Sequence, residues 1–348
     1  MPALPAAKMV AQTVSGGYHK LTASLTRLIS PGINHNLLEC NIPMNRRSFL
    51  GMGLSAGAAA ALSSTPATAA QSPTSDTFKL KYAPHHGHFK HHVGKDYLDQ
   101  LRFAHEVGFR AWEDNGMMKR PVDMQQKIAD TMERLGMTMG VFVGFNGFGK
   151  PEMMSQTDTE YQSWLREQMN RAVETAKRVN ARWCTVVPGV VNNKLELDYQ
   201  TTNCIENLRV MSEVCESSGL VMVLEPLNWW ANHPGLFLTK IPQAYLICKA
   251  VNSPSCKILN DLYHQQITEG NLIPNIDKAW SEIAYFQTGD NPGRKEPTSG
   301  EINYRSVFKH IHKKGFTGVI GMEHGITNHK DKTAELRLIE AYRWCDDF

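Results

Sequence analysis

The sequence predicts a single (β/α)8 barrel, the TIM-barrel architecture, over residues 71–348. Three observations carry that expectation. Short apolar runs alternate with longer segments of helical period, giving eight strands and about eight helices. Several helical segments end at a glycine, the usual residue just past a helix C-terminus. Four of the later strands end on an oxygen-bearing side chain, each roughly one βα unit of about 30 residues after the last. Alternation favours a parallel sheet, and eight units favour closure over an open sheet. No GxGxxG run follows the first strand, which weighs against a dinucleotide-binding fold.

The elements read in order as follows. Residues 78–83 form the first strand, and 97–107 the first helix, closed by Gly108. Residues 109–112 form the second strand, which runs out at Glu113-Asp114-Asn115. A helix over 122–135 closes at Gly136, and residues 137–143 form the third strand. A long helix covers 160–179. Residues 182–187 form the fourth strand, cut by Pro188-Gly189. The next helix, 199–217, closes at Gly219. The fifth strand, Val221–Leu224, is too short for a helix and stops at Glu225-Pro226, because proline cannot continue a ladder. A helix over 241–251 carries Pro242 in its first turn. The sixth strand spans 257–261 and a short helical stretch 271–280. The seventh strand spans 283–287, and a helix over 304–313 closes at Gly315. The eighth strand, 318–323, precedes a last helix over 332–342.

The strand ends hold the chemistry. Glu225, Asp261, Gln287 and Glu323 terminate strands five to eight, and in a closed barrel such ends face one site. Three carboxylates gathered there repel one another unless a positive group binds them. A divalent cation is the simplest counter-charge, and an all-oxygen donor set suits Mg²⁺ or Mn²⁺. The competing reading is that each residue caps a neighbouring helix or loop.

The front of the chain reads as an address rather than as fold. Asn45-Arg46-Arg47-Ser48-Phe49-Leu50 is a twin-arginine signature, followed by an Ala/Gly-rich apolar run to Leu62 and a small-x-small site at Ala67-Thr68-Ala69. Residues 44–70 are therefore expected to be a signal for the twin-arginine export machinery, placing the protein in the periplasm. The run is short and glycine-rich for a membrane anchor. Residues 1–43, upstream of Met44, lack periodicity and are expected to be a disordered extension. The net charge of +3 is nearly balanced, and no basic stripe marks a nucleic-acid partner. Of seven cysteines, six are scattered through the barrel beside apolar segments without a CxxC pair, so they read as buried thiols.

Four segments resemble one known family. They are Leu224-Glu-Pro-Leu-Asn228, Asn260-Asp-Leu-Tyr-His-Gln265, Gln287 to Tyr304 with its Pro292-Gly-Arg-x-Glu-Pro-x-x-Gly-Glu-Ile-Asn-Tyr304 run, and Gly321-Met-Glu323. Together they resemble the xylose isomerase-like barrels, within them the hydroxypyruvate isomerase group. The resemblance implies a divalent ion held by Glu225, Asp261, Gln287 and Glu323. It implies proton transfer by Glu225 and Glu323, and substrate contact by His264. The implied reaction interconverts a small hydroxyaldehyde and hydroxyketone through a shared enediol. One group removes a carbon-bound proton and another returns it to the neighbouring carbon.

Other residues admit two readings each. Arg294, in the loop after strand seven, fits either an anionic group on the substrate or a loop ion pair with Glu296 or Glu301. His264 either donates to a substrate oxygen or bonds a backbone carbonyl. Glu301 reads as ordering its loop. The histidines at 85, 86, 88, 91 and 92 could bind metal, but a loop enforces no ligand spacing, so they read rather as a solvated loop or substrate-pocket wall. Trp229-Trp230 fit a cover over the site or a homo-oligomer contact, and Trp112 and Phe142 a substrate wall or core aromatics. The leading expectation is a hydroxypyruvate/tartronate semialdehyde type of isomerase. The alternatives are a periplasmic keto-sugar epimerase or isomerase, and an inert exported sugar-binding barrel.

Overall fold

The computed structural model describes residues 77–348. The expected signal at 44–70, the extension 1–43 and Cys40 lie outside the described residues. Nine parallel strand segments follow: β1 Lys81–Ala83, β2 Ala111–Trp112, β3 Thr138–Met139, β4 Val143–Asn146, β5 Trp183–Val187, β6 Val221–Leu224, β7 Cys256–Asp261, β8 Ile283–Gln287 and β9 Val319–Gly321. Seven pair in the order β1-β9-β8-β7-β6-β5-β4, and β2 pairs with β3. A bridge between His85 and Glu113 links the ends of β1 and β2. β3 and β4 are two halves of the expected third strand, which runs on to Asn146. The ring therefore has eight strand positions, closed as a TIM barrel.

The break between β3 and β4 has a steric cause. A Cβ on Gly140 would stand 2.4 Å from the Tyr285 hydroxyl, so the backbone here passes directly over a ring that fills the barrel. Tyr285 belongs to an inner layer of Ala83, Ala111, Val141, Trp183, Val223, Leu259, Tyr285 and Val319, all buried. Each strand position supplies one of these residues, and two large rings balance two alanines. Side chains of a strand alternate faces, so the residue two further along each strand faces inward again. Val223 leads in this way to Glu225, Leu259 to Asp261, Tyr285 to Gln287 and Ala111 to Glu113. A polar layer thus lies one step above an apolar plug.

Eight longer helices pack outside the ring: Tyr97–Glu106, Val122–Arg134, Thr159–Val179, Leu197–Glu216, Ile241–Val251, Leu272–Ala279, Tyr304–Lys313 and Lys332–Asp346. The last runs beyond the expected end at Tyr342, because Cys345 is also fully buried. The Leu262–Thr268 helix, which hydrophobic period did not reveal, starts directly on β7 with Asp261 as its N-cap. Trp112 and Phe142 are fully buried in the layer between strands and helices. They are core aromatics, and the substrate-wall reading is set aside. The indole of Trp112 donates to the Tyr97 hydroxyl, which donates in turn to Asp114. The six described cysteines are buried free thiols.

Candidate active site

The strand ends bring the expected residues together. Asp261 and Gln287 are register partners across β7 and β8, and Gln287 is the partner of Gly321 on β9. Glu225 directly follows β6, and Glu323 lies two residues past β9. Ligand atoms of Glu225, Asp261 and His264 lie within 4.8 Å of one another.

Each side chain is held by its own local structure. Asp261 caps the next helix, accepting from the amides of Tyr263 at 2.8 Å and His264 at 3.3 Å through Oδ1. Its Oδ2 remains for the site and accepts from the Arg294 guanidinium at 3.1 Å. Glu323 accepts from Asn115 at 2.7 Å and from Arg294 at 2.6 Å. No donor among the described residues reaches the Glu225 carboxylate, which is 7% exposed. Gln287 donates its amide to Glu113 at 2.8 Å, which leaves Oε1 buried and unpaired.

Arg294 therefore pairs with Asp261 and Glu323, and neither expected loop partner holds it. Glu296 instead accepts from the Thr327 amide, while Glu301 accepts from Asn291 and Gln266. Arg294 is aimed by an unusual backbone. Its φ of 51° is left-handed, and it is fixed by Arg294 N to Asp290 O at 2.9 Å and Gly325 N to Arg294 O at 3.0 Å. Asp290 orders the same loop by accepting from the amides of Asn291, Gly300 and Ile302.

The tautomer of His264 follows from its neighbour. The Asn228 side-chain carbonyl accepts from the Ala231 amide, so its NH₂ end turns to His264 Nδ1 at 2.7 Å. The Asn228 backbone amide also points at Nδ1, at 3.3 Å. Nδ1 is thus an acceptor, and the proton sits on Nε2, which is buried without a partner. That nitrogen faces the carboxylates, 3.6 Å from Asp261 Oδ2, and is not bonded to a backbone carbonyl. Burial, then the Arg294 charge, hold the imidazole pKa well down and keep it neutral.

Glu113 has no role in the sequence reading, yet it lies at the centre. It is 1% exposed and accepts from the Tyr285 hydroxyl and the Gln287 amide, both at 2.8 Å. Its carboxylate fills the space above Gly321, where an added Cβ would stand 1.9 Å from Oε2. The signal that could have found it is the same two-residue step that leads from Val223 to Glu225. Asn115, Asn228 and His233 were also missed as site residues. His233 is tilted against His264, ring centroids 5.4 Å apart, and stacks on exposed Phe148 at 5.1 Å. Trp229 donates to Leu236 O and Trp230 is largely exposed, so neither is tied to the carboxylates.

Charge decides what the cluster can hold. Burial first, then mutual repulsion, raise the pKa of Glu113 and Glu225 well above the ordinary carboxyl value. Glu323 is pushed up to about 6, by burial against the opposing Arg294 charge. Burial also raises Asp261 against the same opposition. Burial works against the charge of Arg294 too, but Glu323 and Asp261 outweigh it and keep the group cationic. Four carboxyl groups thus gather around one guanidinium. The excess negative charge and the orphaned Gln287 oxygen fit a divalent cation held by Glu225, Asp261, Gln287 and Glu323.

Comparison with known proteins identifies the family and the fold. A family profile described as "Xylose isomerase-like TIM barrel" matches residues 101–347. The hydroxypyruvate isomerase of Escherichia coli K12 is 34% identical over 142 residues, 40% of this chain and 53% of that one. The chain thus spans about half the length of that enzyme. A 2-oxo-tetronate isomerase of Pectobacterium atrosepticum is 29% identical over 245 residues, 69% of this chain and 89% of that one. Among solved structures, a 3-keto-D-glucoside 4-epimerase from E. coli superposes with a TM-score of 0.62 at 19% identity, covering 76% of this chain and 98% of that one. The profile match and the closed ring place this chain in the xylose isomerase-like TIM barrel family.

Proposed function

We propose that the protein interconverts a small 2-hydroxyaldehyde and a hydroxyketone through an enediol, in the manner of hydroxypyruvate and tartronate semialdehyde. The chain is an isomerase, as its named relatives are. The observation that carries the finer reading is the pairing of two glutamates, Glu225 buried and Glu323 partly buried, both with raised pKa, on strand ends either side of Asp261. One of them takes the carbon-bound proton and the other returns it to the adjacent carbon. Asn115 and Arg294 hold Glu323, whereas no donor among the described residues holds the Glu225 carboxylate. His264 donates from Nε2 to a substrate oxygen. A bound Mg²⁺ or Mn²⁺ would polarise the substrate oxygens and stabilise negative charge on the enediolate.

Solvent exchange tests this reading. Incubation in D₂O should place deuterium at the substrate carbon alongside product formation, and a chelator should abolish both until Mg²⁺ or Mn²⁺ is restored. Binding without deuterium uptake would leave the inert sugar-binding barrel as the better account.

A second reading, a keto-sugar epimerase or isomerase, is favoured by one observation. Arg294 is already held by two carboxylates, so a neutral substrate needs nothing further from it. The variant Arg294→Ala separates the two. For an anionic hydroxypyruvate-type substrate KM should rise by roughly 10-fold or more, the loss of a charge-assisted hydrogen bond of about 1.5–3 kcal/mol. Equal KM changes for neutral ketoses and hydroxy acids would favour the sugar reading.

We also propose export through the twin-arginine route to the periplasm, on the strength of Arg46-Arg47. Replacing both by lysine should retain the protein in the cytoplasm on cell fractionation. An unchanged distribution would discard the export reading.

A further inference from the structure

We propose that His91, His329 and Glu335 form a transition-metal site of the zinc type, separate from the carboxylate mouth. It lies where the short helix Lys90–Val93, which follows β1, meets the last βα unit. One ligand atom from each residue lies within 4.8 Å of the other two. The His91 and His329 rings meet edge to face, centroids 5.0 Å apart. Glu335 is fully buried and its carboxylate is pinned on both oxygens. One oxygen accepts from the His91 amide at 2.8 Å and from His329 Nε2 at 2.9 Å. The other accepts from the His92 amide at 3.0 Å and from His92 Nδ1 at 2.6 Å.

A plain hydrogen-bond hub accounts for most of this, but not for His91. Its Nε2 is fully buried and has no partner. A buried ring nitrogen is ordinarily satisfied, and here it stands beside a buried carboxylate and a second imidazole. Two imidazoles and one carboxylate are the donor set of three-ligand zinc sites, which keep a fourth position for water. Imidazole selects Zn²⁺ and its neighbours over Mg²⁺ and Mn²⁺, so the two sites differ in preference. His92 and the two backbone amides orient the carboxylate, as outer partners of zinc ligands do. On binding, His329 Nε2 exchanges its bond to Glu335 for one to the ion and must then be unprotonated there.

The ion would fasten the loop after β1 to the chain that follows β9. These segments are already joined by His88 Nε2 to His324 O at 2.9 Å. His324 directly follows Glu323, so the clamp would brace the mouth without touching substrate.

Metal content tests the proposal on the full chain. After equilibration with Zn²⁺ and removal of free metal, the wild type should retain one more equivalent than His91→Ala and than His329→Ala. Zinc should also raise the Tm of the wild type by more than that of either variant. Equal retention in all three proteins overturns the site. If the alanine variants do not fold, zinc-edge absorption of Asp261→Asn, with its mouth site disabled, gives the answer directly. Scattering from two imidazoles is the expected result, and an all-oxygen shell or no bound zinc overturns the proposal.

Discussion

Replacing Glu225 or Glu323 by glutamine is expected to lower kcat by about 10²–10⁴-fold, the usual contribution of a positioned acid or base, while the barrel stays folded. Glutamine keeps the shape but removes the titrating group and one negative charge from the set that would hold the cation. The fold should tolerate it, because burial first, then repulsion from neighbouring carboxylates, raises the pKa of both groups and makes the neutral side chain the less costly one to hold. Relieving that repulsion offsets the one contact, from Asn115 or from Arg294, that a glutamine with its single acceptor oxygen gives up at this position. Steady-state kinetics paired with circular dichroism and solvent deuterium uptake checks the outcome. Near-normal turnover in both variants would strip these residues of the acid–base role. A loss in kcat without loss of substrate binding is the signature of a group that acts on the transition state.

Adding one methyl group at Gly321 should be nearly as damaging, by a different route. In Gly321→Ala the new Cβ would meet the Glu113 carboxylate at 1.9 Å and Gln287 Cγ at 2.9 Å. Neither neighbour can retreat freely. Glu113 is fixed by Tyr285 and Gln287, and Gln287 lies in the ladder between β7 and β9. Overpacking of this kind costs about 1–3 kcal/mol. Activity should fall further than stability, because moving Glu113 releases the Gln287 amide that it orients. Thermal unfolding and kcat on the same preparation check both parts. A variant with wild-type Tm and turnover would mean that the polar layer is looser than its geometry shows.

The barrel was legible because alternation of apolar runs and helical segments is a local signal repeated eight times. The strand end at Glu225 was legible because proline follows it directly, and those at Asp261 and Gln287 because each closes a short apolar run about one βα unit further on. The split of the third strand was not, since it depends on Tyr285 crossing the interior from more than a hundred residues away. The partners of Arg294 were misread for a related reason. Glu296 and Glu301 are its neighbours in sequence, but a left-handed backbone at Arg294 turns the side chain inward to Asp261 and Glu323. Glu113 was read only as the end of its strand, because the donors that fix it lie far off in the chain, on β8. Trp112 and Phe142 sit near strand ends as a pocket wall would, but the pleat sends them outward to the helices.

Asp261 ends a strand, opens a helix and faces the cluster with the same carboxyl group. One methylene more, as in glutamate, would carry that group past the amides of Tyr263 and His264 and loosen the turn that presents the imidazole. The position therefore has almost no freedom to drift: architecture and chemistry have been fused into a single side chain, and neither can be retuned alone.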